Sequence, residues 1–368
     1  AAVNKVADVA FAADTAMSGA LNLLSGAALD KALVSLAPAV DGGAIVGSIS
    51  AGSASGATIS TQIASLRSGI AAGSGLNAGD GTNDKRFWTQ GFGTTADQDV
   101  REKINGFKST TGGVAFGVDK RVRPDTVVGV AYSFSHTDVD TKESKNGTKV
   151  KGHQATFYGT HGFDRGIFGT DGVFVDGQLS YAYNDYSGTR YIEVGAVTRK
   201  ADSEFDGSQI STKFDLGKTV NFTDKLRFTP TAGVSYTHVA VDKFTETGAG
   251  DSSLSLKKQD YDILNLNVRA KLARTWEVNG ADVTPEMHVG YSYEAIHDKI
   301  QTTSNFTGGG ASFISTGFKP ANHTYSGGMG LTFGASDKMP VDVTFTYDFS
   351  GKDDFESHSG LVKGAWKF

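Results

Sequence analysis

Eight histidines are the side chains best suited to acid–base or metal chemistry in this chain, and their spacing supports neither. His136, His153, His161, His238, His288, His297, His323 and His358 form no H-E-x-x-H pair, the spacing that puts two imidazoles on one zinc with a base beside them. Cysteine is absent, which removes thiolate nucleophiles, thiolate metal sites and disulfides together. A hydrolase would need a serine or carboxylate activated by a nearby imidazole. Only His288 lies close in sequence to carboxylates on one strand face, Glu286 and Glu294, and a hydrated polar face accounts for it without catalysis. Gly308-Gly-Gly310 sits in a polar connection, not between a strand and a helix, so it makes a poor phosphate cradle. A net charge of −5 with a pI near 5.9 leaves no basic stripe for nucleic acid. The expectation is a protein with no cofactor, no metal site and no catalytic residue.

What the ionisable residues do show is position. Asp176, Lys213, Asp215, Arg269, Lys271, Glu286, Glu294, Asp342, Asp348 and Lys363 each fall within a run where apolar residues occupy every second place. Leu264, Leu266, Val268, Ala270 and Leu272 alternate with Asn265, Asn267, Arg269 and Lys271. Val343, Phe345, Tyr347 and Phe349 alternate with Thr344, Thr346 and Asp348. From Lys85 onward the pattern returns about twelve times, in segments of roughly ten residues, as tilted membrane-spanning strands require. A soluble antiparallel sheet also alternates. Three features favour lipid. The polar face carries mid-strand charges of both signs, as a wet lumen would. Aromatics gather at strand ends, as in Tyr181, Tyr183 and Tyr186 or Tyr291 and Tyr293, where an interfacial belt belongs. Short connections (121–125, 221–225, 336–339) alternate with long polar ones (141–149, 187–202, 242–256, 297–323), the two rims of an outer-membrane barrel. The mean hydropathy of −0.23 fits, because only alternate residues would meet lipid.

The first eighty residues are of another kind, rich in Ala, Gly and Ser. Val3, Val6, Val9 and Ala10, then Met17, Leu21 and Leu24, recur at helical spacing. A second helix is predicted over 54–70, with Ile59, Ile63, Leu66 and Ile70 on one stripe and Ser60, Thr61, Gln62, Ser65 and Arg67 elsewhere on it. Residues 73–83 read as a link into the first strand. Alone, these helices would suit a small soluble domain or a loose linker. Joined to a barrel, the second helix, rising about 25 Å over its predicted length, suits a pore plug whose backbone groups are satisfied internally. No signal peptide is visible within the sequence, which is therefore expected to be a carboxyl-terminal fragment or processed product of an exported chain.

Several stretches resemble the translocator domain of autotransporters, the type V secretion family. They are Phe87-Trp-Thr-Gln-Gly-Phe-Gly93, Thr111-Gly-Gly-Val-Ala-Phe-Gly-Val-Asp119, Tyr181-Ala-Tyr-Asn-Asp-Tyr186, Leu36-Ala-Pro-Ala-Val-Asp-Gly-Gly43 and a terminal Phe368. The resemblance implies an all-β transmembrane fold: a 12-stranded antiparallel outer-membrane β-barrel with an N-terminal α-helix threaded through its pore. It divides the chain into 1–41 (the end of a passenger region), 42–84 (pore helix and link) and 85–368 (barrel). It further implies export of the chain's own N-terminal passenger, lipid and lipopolysaccharide contact in a Gram-negative outer membrane, a monomer, and insertion by the barrel assembly machinery. That machinery would read the last strand, whose Val362, Gly364, Trp366 and Phe368 share one face. Some family members cut themselves at adjacent asparagines in the pore, and 42–84 contains no such pair. Two other readings stay open: a porin, which would conduct freely, and an outer-membrane hydrolase, whose turnover would depend on His288.

Overall fold

The computed structural model describes residues 6–38 apart from 8, 43–71, 85–163 apart from 103, 171–334 apart from 279 and 298, and 341–367. The expected link at 73–83, the turn at 336–339 and Phe368 lie outside them.

Twelve strands form the wall: β1 (Lys85–Gln98), β2 (Phe107–Arg123), β3 (Thr126–Thr141), β4 (Gly147–Phe163), β5 (Val173–Val194), β6 (Val197–Lys218), β7 (Leu226–Val241), β8 (Gln259–Arg274), β9 (Ala281–His297), β10 (His323–Phe333), β11 (Val341–Lys352) and β12 (Phe355–Lys367). Each pairs antiparallel with the next. β12 returns to β1 in register from Arg86↔Lys367 to Gln98↔Phe355, so the sheet is closed and leaves no edge in the wall.

Closure fixes the two faces. Val118, Phe116 and Val114 on β2, Leu179 on β5, Phe214 on β6, Val268 on β8 and Val362 on β12 are each about half exposed and point outward. Ser133, Ser135, Gln154, Thr156, Gln178 and Ser180 point inward and are buried. The outward face is apolar around the ring, and tyrosines mark its upper edge. Tyr132, Tyr291 and Tyr347 each share a hydrogen bond with the Nδ1 of a histidine on the neighbouring strand: His153 at 2.5 Å, His323 at 2.7 Å and His358 at 2.7 Å. A phenol hydroxyl facing hydrocarbon needs such a partner. Tyr181 and Tyr183 belong to this outward face, whereas Tyr186 turns inward and is buried, so it is not part of the expected belt.

The connection 187–202 is not a loop. β5 and β6 run on as a paired ribbon to Val194↔Val197, beyond the ends of the other strands. Ile192, Val194 and Ala201 keep strand alternation there and bury one side of the ribbon. The rims are also less regular than expected, because residues 164–172 separate β4 from β5 on the short-turn side and only 353–354 separate β11 from β12 on the other.

Ahead of the wall lie α1 (Thr15–Asn22), α2 (Gly26–Leu36) and α3 (Gly43–Ala71), and residues 6, 7, 9 and 10 are helical as well. α1 and α2 lie on the long-loop rim, packed on the ribbon and on a small sheet of loop strands (Phe244–Thr245, Leu254–Leu256, Gln301–Phe306, Gly309–Thr316). Phe11, Met17, Leu21 and Leu36 bury against Ile192, Val194, Leu254, Phe306 and Phe313 in one cluster.

Candidate functional site

α3 occupies the barrel lumen. It starts at Gly43, well before the expected 54, and its 29 residues span about 43 Å at 1.5 Å per residue. Propensity alone misjudges this start, because each helical glycine costs about 1 kcal/mol relative to alanine. Here glycine is what lets the helix lie against the wall. A Cβ on Gly47 would sit 2.5 Å from Val150 Cγ2, and one on Gly52 would sit 2.2 Å from Gln209 Nε2.

The direction of α3 follows from its contacts. Near its start, Ser48 bonds Tyr186 and Ser50 lies 2.8 Å from the Thr111 hydroxyl. Near its end, Arg67 pairs with Asp176 and its guanidinium stacks 4.0 Å over the Phe174 ring, close to the first residue of β5. The helix therefore enters at the long-loop rim and ends at the short-turn rim, where β1 begins.

Midway lies a buried polar chain. Trp88 Nε1 donates to Tyr158 Oη (2.7 Å), which donates to Asp119 Oδ2 (3.1 Å). Gln62 Nε2 donates to the same carboxylate oxygen at 2.6 Å, and its Oε1 accepts from Lys363 Nζ at 3.2 Å. Lys363 also donates to Ser65 Oγ at 2.8 Å. Gln62 is 0 % exposed and Lys363 is 1 % exposed, so a neutral amide on the helix bridges two buried charges on opposite sides of the β12–β1 seam. Ile59, Ile63 and Leu66 flank this chain, in one apolar cluster with Trp88, Phe92, Ala115, Tyr158 and Leu361. Of the five residues expected on the pore helix, Ile59, Gln62, Ile63 and Leu66 are buried here and Arg67 reaches Asp176.

The ten expected lumen residues all line the lumen. Lys213 pairs with Asp215 at 3.0 Å and donates to Ser60 Oγ at 3.1 Å, and Lys271 pairs with Glu286 at 3.1 Å. Asp348 meets His288 Nε2 at 2.6 Å, and Glu294 meets Lys352 at 3.7 Å near the outer rim. Arg269 and Asp342 complete the set. The two groups act differently. The helix packs on β1 to β5, where Asp176 holds it, whereas the charges of β8, β9 and β11 face it across a cavity of about 900 Å³. Ser53, Ala57, Thr61 and Ala64 of α3 line its near side. Among the described residues no group of three or more acidic or histidine side chains is arranged to hold a metal ion.

A second polar site, at the outer rim, was not anticipated. Arg190 on the ribbon is buried against Glu246, with Nε to Oε1 at 2.9 Å and Nη2 to Oε2 at 2.5 Å. Its Nη1 donates to the last carbonyls of α2, Ser35 O at 2.9 Å and Leu36 O at 3.3 Å, and Nη2 reaches Ser252 O at 3.0 Å. A guanidinium thus satisfies the end of a helix and a loop at once. Arg199 pairs with Asp14 at 2.5 Å, and Asp14 caps α1 through the Met17 amide at 3.2 Å. The Arg199 guanidinium, bonded to it, holds the Asp14 carboxyl below its ordinary value. Arginine amid alternating Ile192 and Val194 was the sequence signal available for this site.

On the last strand Val362 faces outward at 49 % exposure, Gly364 shares its face, and the Trp366 ring lies 5.9 Å from that of Phe87.

Comparison with known proteins agrees with this architecture. Residues 87–346 match the family model described as autotransporter beta-domain. Outer membrane protein A of Rickettsia conorii is 26% identical over 296 residues, covering 78% of this chain and 14% of that protein. The chain therefore spans about one seventh of the length of that relative. The translocator domain of the autotransporter NalP from Neisseria meningitidis superposes with a TM-score of 0.61 at 16% identity, covering 85% of this chain and 98% of that one. The beta domain of the Bordetella autotransporter BrkA gives 0.57 at 14% identity, covering 78% and 100%. The outward apolar ring and these relatives place the barrel in a Gram-negative outer membrane. The chain belongs to the autotransporter beta-domain family.

Proposed function

We propose that the chain is an outer-membrane translocator that exports its own N-terminal passenger and anchors it at the cell surface. The observation that carries this is α3, which runs from the long-loop rim to the short-turn rim and leads into β1. Whatever lies upstream of Gly43 is thereby delivered to the outer rim. The three parts have separate tasks: 1–41 is the end of the exported region, 42–84 the pore helix and its link, and 85–368 the wall. The charged lumen hydrates the path and holds the helix once passage is complete. The wall is served by the barrel assembly machinery through Val362, Gly364, Trp366 and Phe368, contacts lipid and lipopolysaccharide as a monomer, and performs no catalysis. A porin is less well supported, because a diffusion channel would not carry a helix bonded to its lumen wall from one rim to the other.

The test is export of a reporter. A short epitope placed ahead of Ala1, behind a cleavable export signal, is expected to bind antibody on intact cells. An epitope reached only after the outer membrane is breached contradicts the reading.

A further inference from the structure

The cavity beside α3 is bordered at its outer end by a strap from the β9–β10 connection, through Ile300, Phe318 and Pro320. It reaches the short-turn rim at Arg86, Thr219, Arg227 and Thr275, the residues next to strand ends there. Helix and wall leave a cavity of about 900 Å³ along this side of the lumen, so α3 alone does not fill the barrel. At that outer end the lining includes two apolar side chains that flank the loop hairpin Gln301–Thr316. Ile300, 3 % exposed, enters a cluster with Ile45, Tyr186, Val241 and Ile263, with Ile49 against it. Phe318, 4 % exposed, packs with Phe107 and Val139, with Val46 and Phe355 against them. Both therefore wedge between the start of α3 and the wall.

The strap is tied at three points. Gly317 N donates to Ile300 O at 2.7 Å, closing the base of the hairpin. Arg101, from the β1–β2 connection, donates to Lys319 O at 2.9 Å and to Asp354 at 3.3 Å. Asn322 and Glu294 exchange hydrogen bonds at 2.8 and 3.0 Å where β10 begins. A water-filled passage that narrows to apolar side chains stops conducting by losing its water.

We propose that Ile300 and Phe318 form a hydrophobic gate against ions and water at the outer end of the passage beside the helix, held shut by Arg101. The gate depends on the geometry of the lumen and not on the direction of transport. Its failure is therefore distinguishable from failure of the translocator reading.

The full chain, folded and inserted in planar bilayers, tests this by single-channel recording. The unsubstituted barrel is expected to stay nearly closed, and the double variant Ile300→Ser/Phe318→Ser to conduct roughly tenfold more or better. A cysteine at Ser55, on the buried side of α3, should stay as protected from thiol reagents as before. A folded double variant that remains closed overturns the gate, and so does conduction that appears only with exposure of that cysteine, since the helix would then be the seal. Should the double variant not fold, Arg101→Ala, which removes no apolar anchor, is expected to give frequent brief openings, and its silence overturns the gate equally.

Discussion

Replacing Gln62 with leucine should loosen α3 without disturbing the wall. The amide is the one helix side chain that serves both Asp119, at 2.6 Å, and Lys363, at 3.2 Å. Leucine conserves the bulk among Ile59, Ile63 and Leu66 but withdraws a donor from one buried charge and an acceptor from another. Hydrogen bonds to charged groups contribute about 1.5–3 kcal/mol each, so the loss is about 3–6 kcal/mol. The cavity beside the helix admits water that can replace part of it, which makes the lower end the working figure. About 3 kcal/mol raises the population of the displaced helix roughly a hundredfold. A Ser55→Cys reporter reads that population directly, because Ser55 is 3 % exposed while the helix is seated. Its labelling rate in folded barrels should rise roughly a hundredfold on adding Gln62→Leu, with heat-modifiability unchanged. An unaltered rate would mean that the polar chain from Trp88 to Lys363 does not hold the helix.

Three further outcomes are expected. Leu266→Arg puts a charge on the lipid face and should cost about 2–4 kcal/mol in a refolding titration, whereas Asn267→Arg enters the lumen and should be tolerated; equal costs would reverse the inside and outside of β8. Arg190→Ala leaves Glu246 buried without its partner and should destabilise the cap by about 3–5 kcal/mol, read as lost amide protection in α2 while the barrel strands keep theirs. Asp14 titrates low in the folded cap because Arg199 hydrogen-bonds its carboxylate. Since the folded value lies below the unfolded one, its contribution is complete above about pH 4 and is lost as pH falls through the folded value. Protection factors in α1 should therefore drop between about pH 4 and lower values, and Asp14→Asn should abolish that dependence.

Much of this molecule was legible before its structure. Strand phase was, because a closed sheet with lipid outside and water inside forces strict alternation, and Lys271 or Asp348 among apolar neighbours has one side to go to. The apolar stripe of α3 was also visible in the spacing of Ile59, Ile63 and Leu66, but the place of Gln62 among them was not. Nor were the first turns of α3, since glycines that disfavour an isolated helix sit where the backbone comes close to Val150, at Gly47, and to Gln209, at Gly52. The partners of the lumen charges were hidden too. Whether Lys363 meets the helix depends on which wall the helix leans against, and whether Lys271 meets Glu286 depends on the register of β8 against β9; no local pattern encodes either. The cap escaped for a related reason: a ribbon carrying Arg190, Glu193, Arg199 and Lys200 is polar enough to pass for a loop, and its apolar side is satisfied only by residues far away in sequence.

The orientation of α3 is the claim on which the rest depends, and two cysteines in this cysteine-free chain measure it. Leu23, 86 % exposed at the end of α1, lies on the long-loop rim, and Ser55 lies inside the lumen. On intact cells a membrane-impermeant thiol reagent should label Leu23→Cys fully and Ser55→Cys scarcely. Labelling of Leu23→Cys only after the outer membrane is broken would put the upstream segment on the periplasmic side and contradict the account.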